Sequence, residues 1–276
     1  MEEPVLPAFS WPTRPEDQPD ISPVAWRDIT PEWAWGGSTG KGVKVCIVDS
    51  GVEADHPALE GAVKGGVVVQ RSPDGVVVRE EPHEDLFGHG TACAGIIHSL
   101  APEAEIYSAR VLGQNLKGGG DALVAGVRWA VENGMDVINL SLSTRKYEHV
   151  VALHDLADEA YFRGTVIVAA ANNMPVNSYP WLFASVISVA SHAEPDPYTF
   201  YYNPNPPVEF TAPGVDLELA WAGKTTSVGT GNSYATPHIV GIAALIQGKH
   251  RLAPFHLKTV LYYTSKNVRE ALGGRP

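Results

Sequence analysis

The chain has 276 residues, 44% hydrophobic and 18% charged, which is enough for one sizeable core and is a globular rather than a disordered or fibrous composition. A formal net charge of −11 and a pI near 5.3 set it against a nucleic-acid partner, because phosphate binding needs a basic surface. No apolar run approaches the length of a membrane span, so no membrane partner is expected, and oligomeric state is not legible.

Residues 1–40 open with the acidic, proline-rich MEEPVLPAFSWPTRPEDQPD and end on GGSTG. The stretch is predicted to be an irregular extension packed on or near a single domain, residues 41–276. It has neither the basic start nor the apolar stretch of a signal peptide, so a cytoplasmic location is expected, with a mature secreted fragment as the alternative. From Lys41 the pattern changes. VKVCIVD is a continuous apolar run ending in an acid, the mark of a strand buried on both faces. GTACAGIIHSL then reads as a helix and EIYSARVL as a strand. DALVAGVRWAVENG has helical apolar spacing and an Asn-Gly stop. MDVINLSL is a strand, VVALHDLADEAYFRG a helix, and TVIVAAA and SVISVAS are strands. SYATPHIVGIAALIQGKH is a long helix, followed by a shorter one over APFHLKTVLYYTSKNV. Apolar strands alternating with helices predict an α/β fold: a doubly wound, mostly parallel sheet with helices on both faces and its functional groups at the carboxyl ends of the strands. The two cysteines, Cys46 and Cys93, are too few for a disulfide scaffold and read as free, buried thiols.

Three residues fall on that reactive rim. Asp49 ends the first strand, His89 opens a helix in GHGTACAG, and Ser233 opens another in GTGNSYATPH. Singly, each has a plain structural reading: a turn acid, an exposed imidazole, a helix N-cap. Together with their surroundings they resemble the subtilisin-like serine proteases, the subtilase family. VKVCIVDSGVEADHPAL is similar to the family's Asp motif, GHGTACAG to its His motif and GNSYATPHIVGIAAL to its Ser motif. NGMDVINLSL and VIVAAANN match two further segments, and the likeness runs over about residues 31–270. The order Asp, His, Ser is the subtilisin order.

The resemblance implies a serine endopeptidase acting on polypeptides through an acyl-enzyme. Ser233 is the implied nucleophile, His89 the general base and Asp49 its orienting acid. It also implies an asparagine donor for the oxyanion. Family spacing counted from Gly164 gives Asn173, with Asn172 as the other register and as the replacement for a usual glycine. The implied substrate-binding segments are Ser141, Leu142 and Ser143 on one side and Gly118, Gly119 and Gly120 on the other; alone, Gly-Gly-Gly reads equally as a flexible loop.

The chain departs from the family pattern in several places. Asn232 precedes the serine where threonine is usual, and Ala92 stands for a frequent histidine. Ser143 and Thr144 replace two glycines, which should narrow or polarise the specificity pocket. Many members of that family carry an inserted calcium-binding loop after the His-bearing helix, and the short link here argues against that high-affinity site; no cofactor is expected to be required, although a weak structural calcium elsewhere is compatible with the sequence. Cys93 resembles the thiol of the cysteine-bearing, proteinase K-like branch and is expected beneath the active site, where a mercurial would displace His89. ITPEWAWGGSTGKGVKV resembles the lead-in of intracellular subtilisins, and residues 1–20 are expected to regulate access to the cleft. The rival readings are a processing peptidase of narrow specificity, a non-catalytic peptide-binding relative, and a nucleotide-binding sheet; the last lacks a Gly-x-Gly-x-x-Gly after its first strand.

Overall fold

The apolar run at residues 44–49 forms the first strand, β1 (Lys44–Asp49), and its two faces point into two different cores. Val45 and Ile47 enter one, Cys46 and Val48 the other, as the two-residue repeat of a strand requires. The computed structural model describes residues 28–73 and 75–273, with positions 7, 8, 10 and 16.

Around β1 stand β2 (Val63–Ser72), β3 (Gly75–Glu80), β4 (Glu105–Arg110), β5 (Val137–Leu140), β6 (Val166–Ala170), β7 (Ile187–His192), β8 (Tyr201–Tyr202) and β9 (Phe210–Pro213). Their order is β3-β2-β4-β1-β5-β6-β7-β9-β8; only the outermost pairs, β2–β3 and β8–β9, are antiparallel. The fold is therefore α/β, as expected. After β4 the chain returns to the other side of β1 to lay down β5. The topological switch point is thus beside β1, and the crevice there opens at the carboxyl ends of β1 and β5.

One core is covered by α2 (His89–Leu100), α5 (Asn232–His250) and α6 (Pro254–Thr264); the other by α3 (Gly120–Glu132) and α4 (Val150–Phe162). Every residue of α5 from Ala235 to Gln247 is buried, which suits a helix apolar on all sides. An antiparallel pair, β10 (Leu217–Trp221) and β11 (Thr225–Gly229), lies against α2 through Leu219 and leads directly into the Ser233 loop.

Two expectations need correction. Residues 1–40 are not irregular throughout: Thr30 caps a short helix, α1 (Pro31–Trp35), by accepting the Trp33 N–H, and Pro31 supplies the preset first turn. Trp33 of this helix stacks on His250 of α5, with ring centroids 4.2 Å apart. Most of the segment expected to regulate the cleft, residues 1–20, lies outside the described residues. The shorter helix near the end is two helices, α6 and α7 (Lys266–Ala271), broken at extended Ser265. No helix among the described residues is long and apolar enough to cross a membrane.

Candidate active site

Asp49 is wholly buried at the end of β1. Its Oδ1 accepts the Ser50 N–H at 2.7 Å, and both carboxylate oxygens lie 2.9 Å from His89 Nδ1. With Nδ1–H committed to the carboxylate, Nε2 keeps the lone pair. Close backbone approach makes this contact reachable. A Cβ at Gly51, whose φ is +110°, would collide with the Glu84 carbonyl, and one at Gly90 would collide with the Gly51 carbonyl. His89 is only 7% exposed. Burial alone would lower its pKa, but the charge and hydrogen bond of Asp49, with the charge of Asp85, outweigh burial and raise it.

Asp85 escaped the sequence reading. Its Oδ1 accepts the N–H groups of Phe87 and Gly88 and the Ser50 hydroxyl; its Oδ2 accepts the N–H and the hydroxyl of Thr91. Gly88, the formal N-cap of α2, has no side chain, so this carboxylate does the capping from three residues back. The available signal was an acid shortly before a glycine-started helix, but EEPHED offers four acids, and only the fold selects one.

Ser233 is the second residue of α5. Its N–H belongs to the first turn, where no intrahelical acceptor exists. Its carbonyl is unusual for a different reason. The residue four positions on is Pro237, which has no N–H to return to it. The freed carbonyl instead accepts the Ser141 hydroxyl at 2.7 Å, with Cys93 Sγ at 3.7 Å. Ser141 in turn accepts from buried Asn139 of β5 at 3.1 Å. Ser141 thus supports the start of α5 and also lines the cleft.

Two asparagines hold the loop before Ser233. Asn173 Oδ1 accepts the Asn232 N–H at 2.9 Å, and among the described residues its Nδ2 donor end has no partner. Asn232 Oδ1 accepts the N–H and the hydroxyl of Ser191, both at 2.9 Å, while its Nδ2 reaches the Ala171 carbonyl at 3.2 Å. The point where Gly231 would carry a Cβ is 3.3 Å from Ser233 Oγ and 3.4 Å from Asn173 Nδ2, so the two groups face the same space. Asn172 has no positive φ; it is accommodated by accepting the Met174 N–H and donating to Ser178, not by a left-handed backbone.

These pieces surround a cleft of about 250 Å³, lined by His89, Ser233, Leu112, Leu116 and the segments 141–143 and 170–173. Of the three glycines, Gly118 is exposed and Gly119 half-buried; Gly120 is buried as the first residue of α3, with the His149 ring where its Cβ would go. A larger cavity, about 550 Å³, lies along β2 and β4 and contains none of the three rim residues. Volume alone therefore does not pick out the candidate site, which is the smaller cleft that both His89 and Ser233 line.

Both cysteines are free and buried. Burial and the nearby Asp49 charge hold the Cys93 thiol well above its ordinary pKa, so it is neutral. Ligand atoms of Asp49, His89 and Cys93 lie within 4.8 Å of one another, a donor set a thiophilic metal ion could bridge. The Tyr234 ring, next to Ser233, is 5.2 Å from the His89 ring, and burial raises its phenol pKa to about 12.

Comparison with known proteins agrees with this architecture. The chain is 34% identical over 228 residues to the minor extracellular protease Epr of Bacillus subtilis, covering 78% of this chain and 33% of Epr. It is 34% identical over 229 residues to subtilisin E of the same organism, covering 78% of this chain and 58% of subtilisin E. The matched region thus spans between a third and about three fifths of these relatives. Among solved structures, a cold adapted subtilisin-like serine proteinase superposes with a TM-score of 0.67 at 25% identity, over 84% of this chain and 87% of that one. The Subtilase family profile matches residues 40–273, and the chain belongs to that family.

Proposed function

We propose that this chain is a serine endopeptidase that cleaves polypeptides through an acyl-enzyme, with Ser233, His89 and Asp49 as its triad. The observation that carries the reading is the hydrogen-bonded Asp49–His89 pair opening onto the same cleft as Ser233 at the start of α5. Ser233 Oγ attacks the scissile carbonyl while His89 Nε2 takes its proton. The same proton then goes to the leaving amine, and a water repeats the sequence to release the acid. Asp49 keeps Nδ1 protonated and stabilises the imidazolium; it does not itself take the proton. The oxyanion forms against the Ser233 N–H and Asn173 Nδ2, at the positive end of α5. Among the described residues no hydrogen bond joins Ser233 Oγ to the His89 imidazole, although both line the same cleft; such bonds commonly tighten only with substrate bound. Nothing in this sequence of steps needs a cofactor.

A second reading, a processing peptidase of narrow specificity, draws support from Ser143 and Asn172, which put side chains on the cleft wall where the family has glycine. The test is fluorophosphonate labelling followed by digestion of a peptide library. Wild type should be labelled at Ser233 and should cut; Ser233→Ala should lose turnover by a factor on the order of 10⁶, the scale measured for the nucleophile of subtilisin itself. Unlabelled Ser233 in folded protein would defeat the proposal.

A further inference from the structure

We infer that the cleft wall carries an uncommitted hydroxyl donor, Ser143 Oγ–H, and that the enzyme therefore prefers, just before the scissile bond, a side chain of medium length ending in a carbonyl or carboxylate oxygen: Asn, Asp, Gln or Glu. This rests on the peptidase reading and names its substrate class.

The argument is a count of protons around Ser178. Ser178 is fully buried, and its Oγ sits at the centre of three hydrogen bonds: Trp181 Nε1 at 2.9 Å, Asn172 Nδ2 at 3.2 Å and Ser143 Oγ at 2.8 Å. The indole N–H can only donate. The Asn172 amide is oriented by its other end, because Oδ1 accepts the Met174 N–H at 2.9 Å, so the group facing Ser178 is the NH₂. Two donors fill both acceptor positions of the Ser178 hydroxyl. Its single proton must then go to the third partner, Ser143 Oγ.

Ser143 Oγ is consequently an acceptor in that bond and keeps its own proton. Among the described residues it has no other partner, and Ser143 lines the cleft beside Ser233. The second N–H of Asn172 Nδ2 is also uncommitted among the described residues, and Asn172 lines the same wall. Among the described residues, no ionisable side chain apart from the His89 imidazole lines the cleft. In solution water satisfies the two donors. A substrate side chain that displaces this water without offering an oxygen leaves them unpaired, whereas an amide or carboxylate replaces the lost bonds. Two side chains where the family has glycine also shorten the space available to large aromatics.

The test compares peptides identical except at the residue before the cut, with Gln, Glu, Met, Leu or Phe there. Gln and Met are matched in length and differ in the oxygen. Wild type should show kcat/KM for Gln over Met of about tenfold, the usual value of one such bond, and Ser143→Ala should bring that ratio close to one. A ratio, unlike a rate, is insensitive to a general loss of folded enzyme. Preference for Met, Leu or Phe by wild type labelled at Ser233, or a ratio unchanged in Ser143→Ala, overturns this inference alone. Failure of wild type to be labelled at Ser233 and to cut any peptide overturns it together with the peptidase reading.

Discussion

Two helix starts meet at the cleft, and they are built in opposite ways. The start of α2, which carries His89, is saturated with negative charge: Asp85 holds it with four hydrogen bonds, a fifth going to Ser50, and Asp49 grips the imidazole. The start of α5, which carries Ser233, is held instead by neutral Asn173 and Asn232, and the acid bonded nearby, Asp216, meets the chain at Thr230, three residues before the serine. The chemistry explains the difference. In the proposed mechanism a cation develops on His89 and an anion beside Ser233, so carboxylates would favour the first and repel the second. On that proposal the field at each helix end suits the charge that would appear there in the transition state.

Exchanging the character of the two ends tests this lesson. The largest effect is expected at Asn173. Asn173→Ala should lower kcat by roughly 10²–10³ with little change in KM, the cost of one oxyanion donor as measured in subtilisin, and Asn173→Asp should be worse because it adds a charge of the wrong sign. Steady-state kinetics on one peptide would decide; equal activity of the Ala and Asp variants would sink the electrostatic reading.

Asp85→Asn removes charge from the other end. His89 must be neutral to act as base, so kcat/KM should fall as pH drops through its pKa, which lies above the ordinary 6.5 in the folded chain. With the Asp85 charge gone that limb should move to lower pH. Stability should also fall by about 1–3 kcal/mol, because an amide cannot accept all five bonds. The pH profile separates the two effects, since damage to folding alone would lower the curve without moving its midpoint.

The smallest effect on basal turnover is expected for Cys93→Ala, since the thiol is neutral and takes no part in the chemistry. That variant should nevertheless lose sensitivity to a mercurial, which in wild type would bind Sγ beside His89 and Asp49. Titration of both proteins with the reagent, read by residual hydrolysis, checks it; equal sensitivity would place the reactive group elsewhere.

How far the sequence could be read follows from how each element is stabilised. The strands β1, β4, β5, β6 and β7 were legible because burial on both faces writes an apolar run. The hairpin β2–β3 was not, because its strands are partly exposed and β2 contains Gly65-Gly66. Two-residue β8 is held by its neighbour rather than by its own pattern. Asp49, His89 and Ser233 were visible because each sits in a motif. Asp85 and Ser178 were not, because each acts through partners that are brought to it only by the folded chain.

Pro237 carries a last consequence. By deleting one rung of α5, it hands the carbonyl beside the nucleophile to a hydroxyl on the sheet, so that the helix and the sheet share a single fastening at that point. An alanine there would restore the rung and offer the carbonyl two competing donors. The helix would gain in regularity, and the nucleophile would lose a fixed address and acquire two.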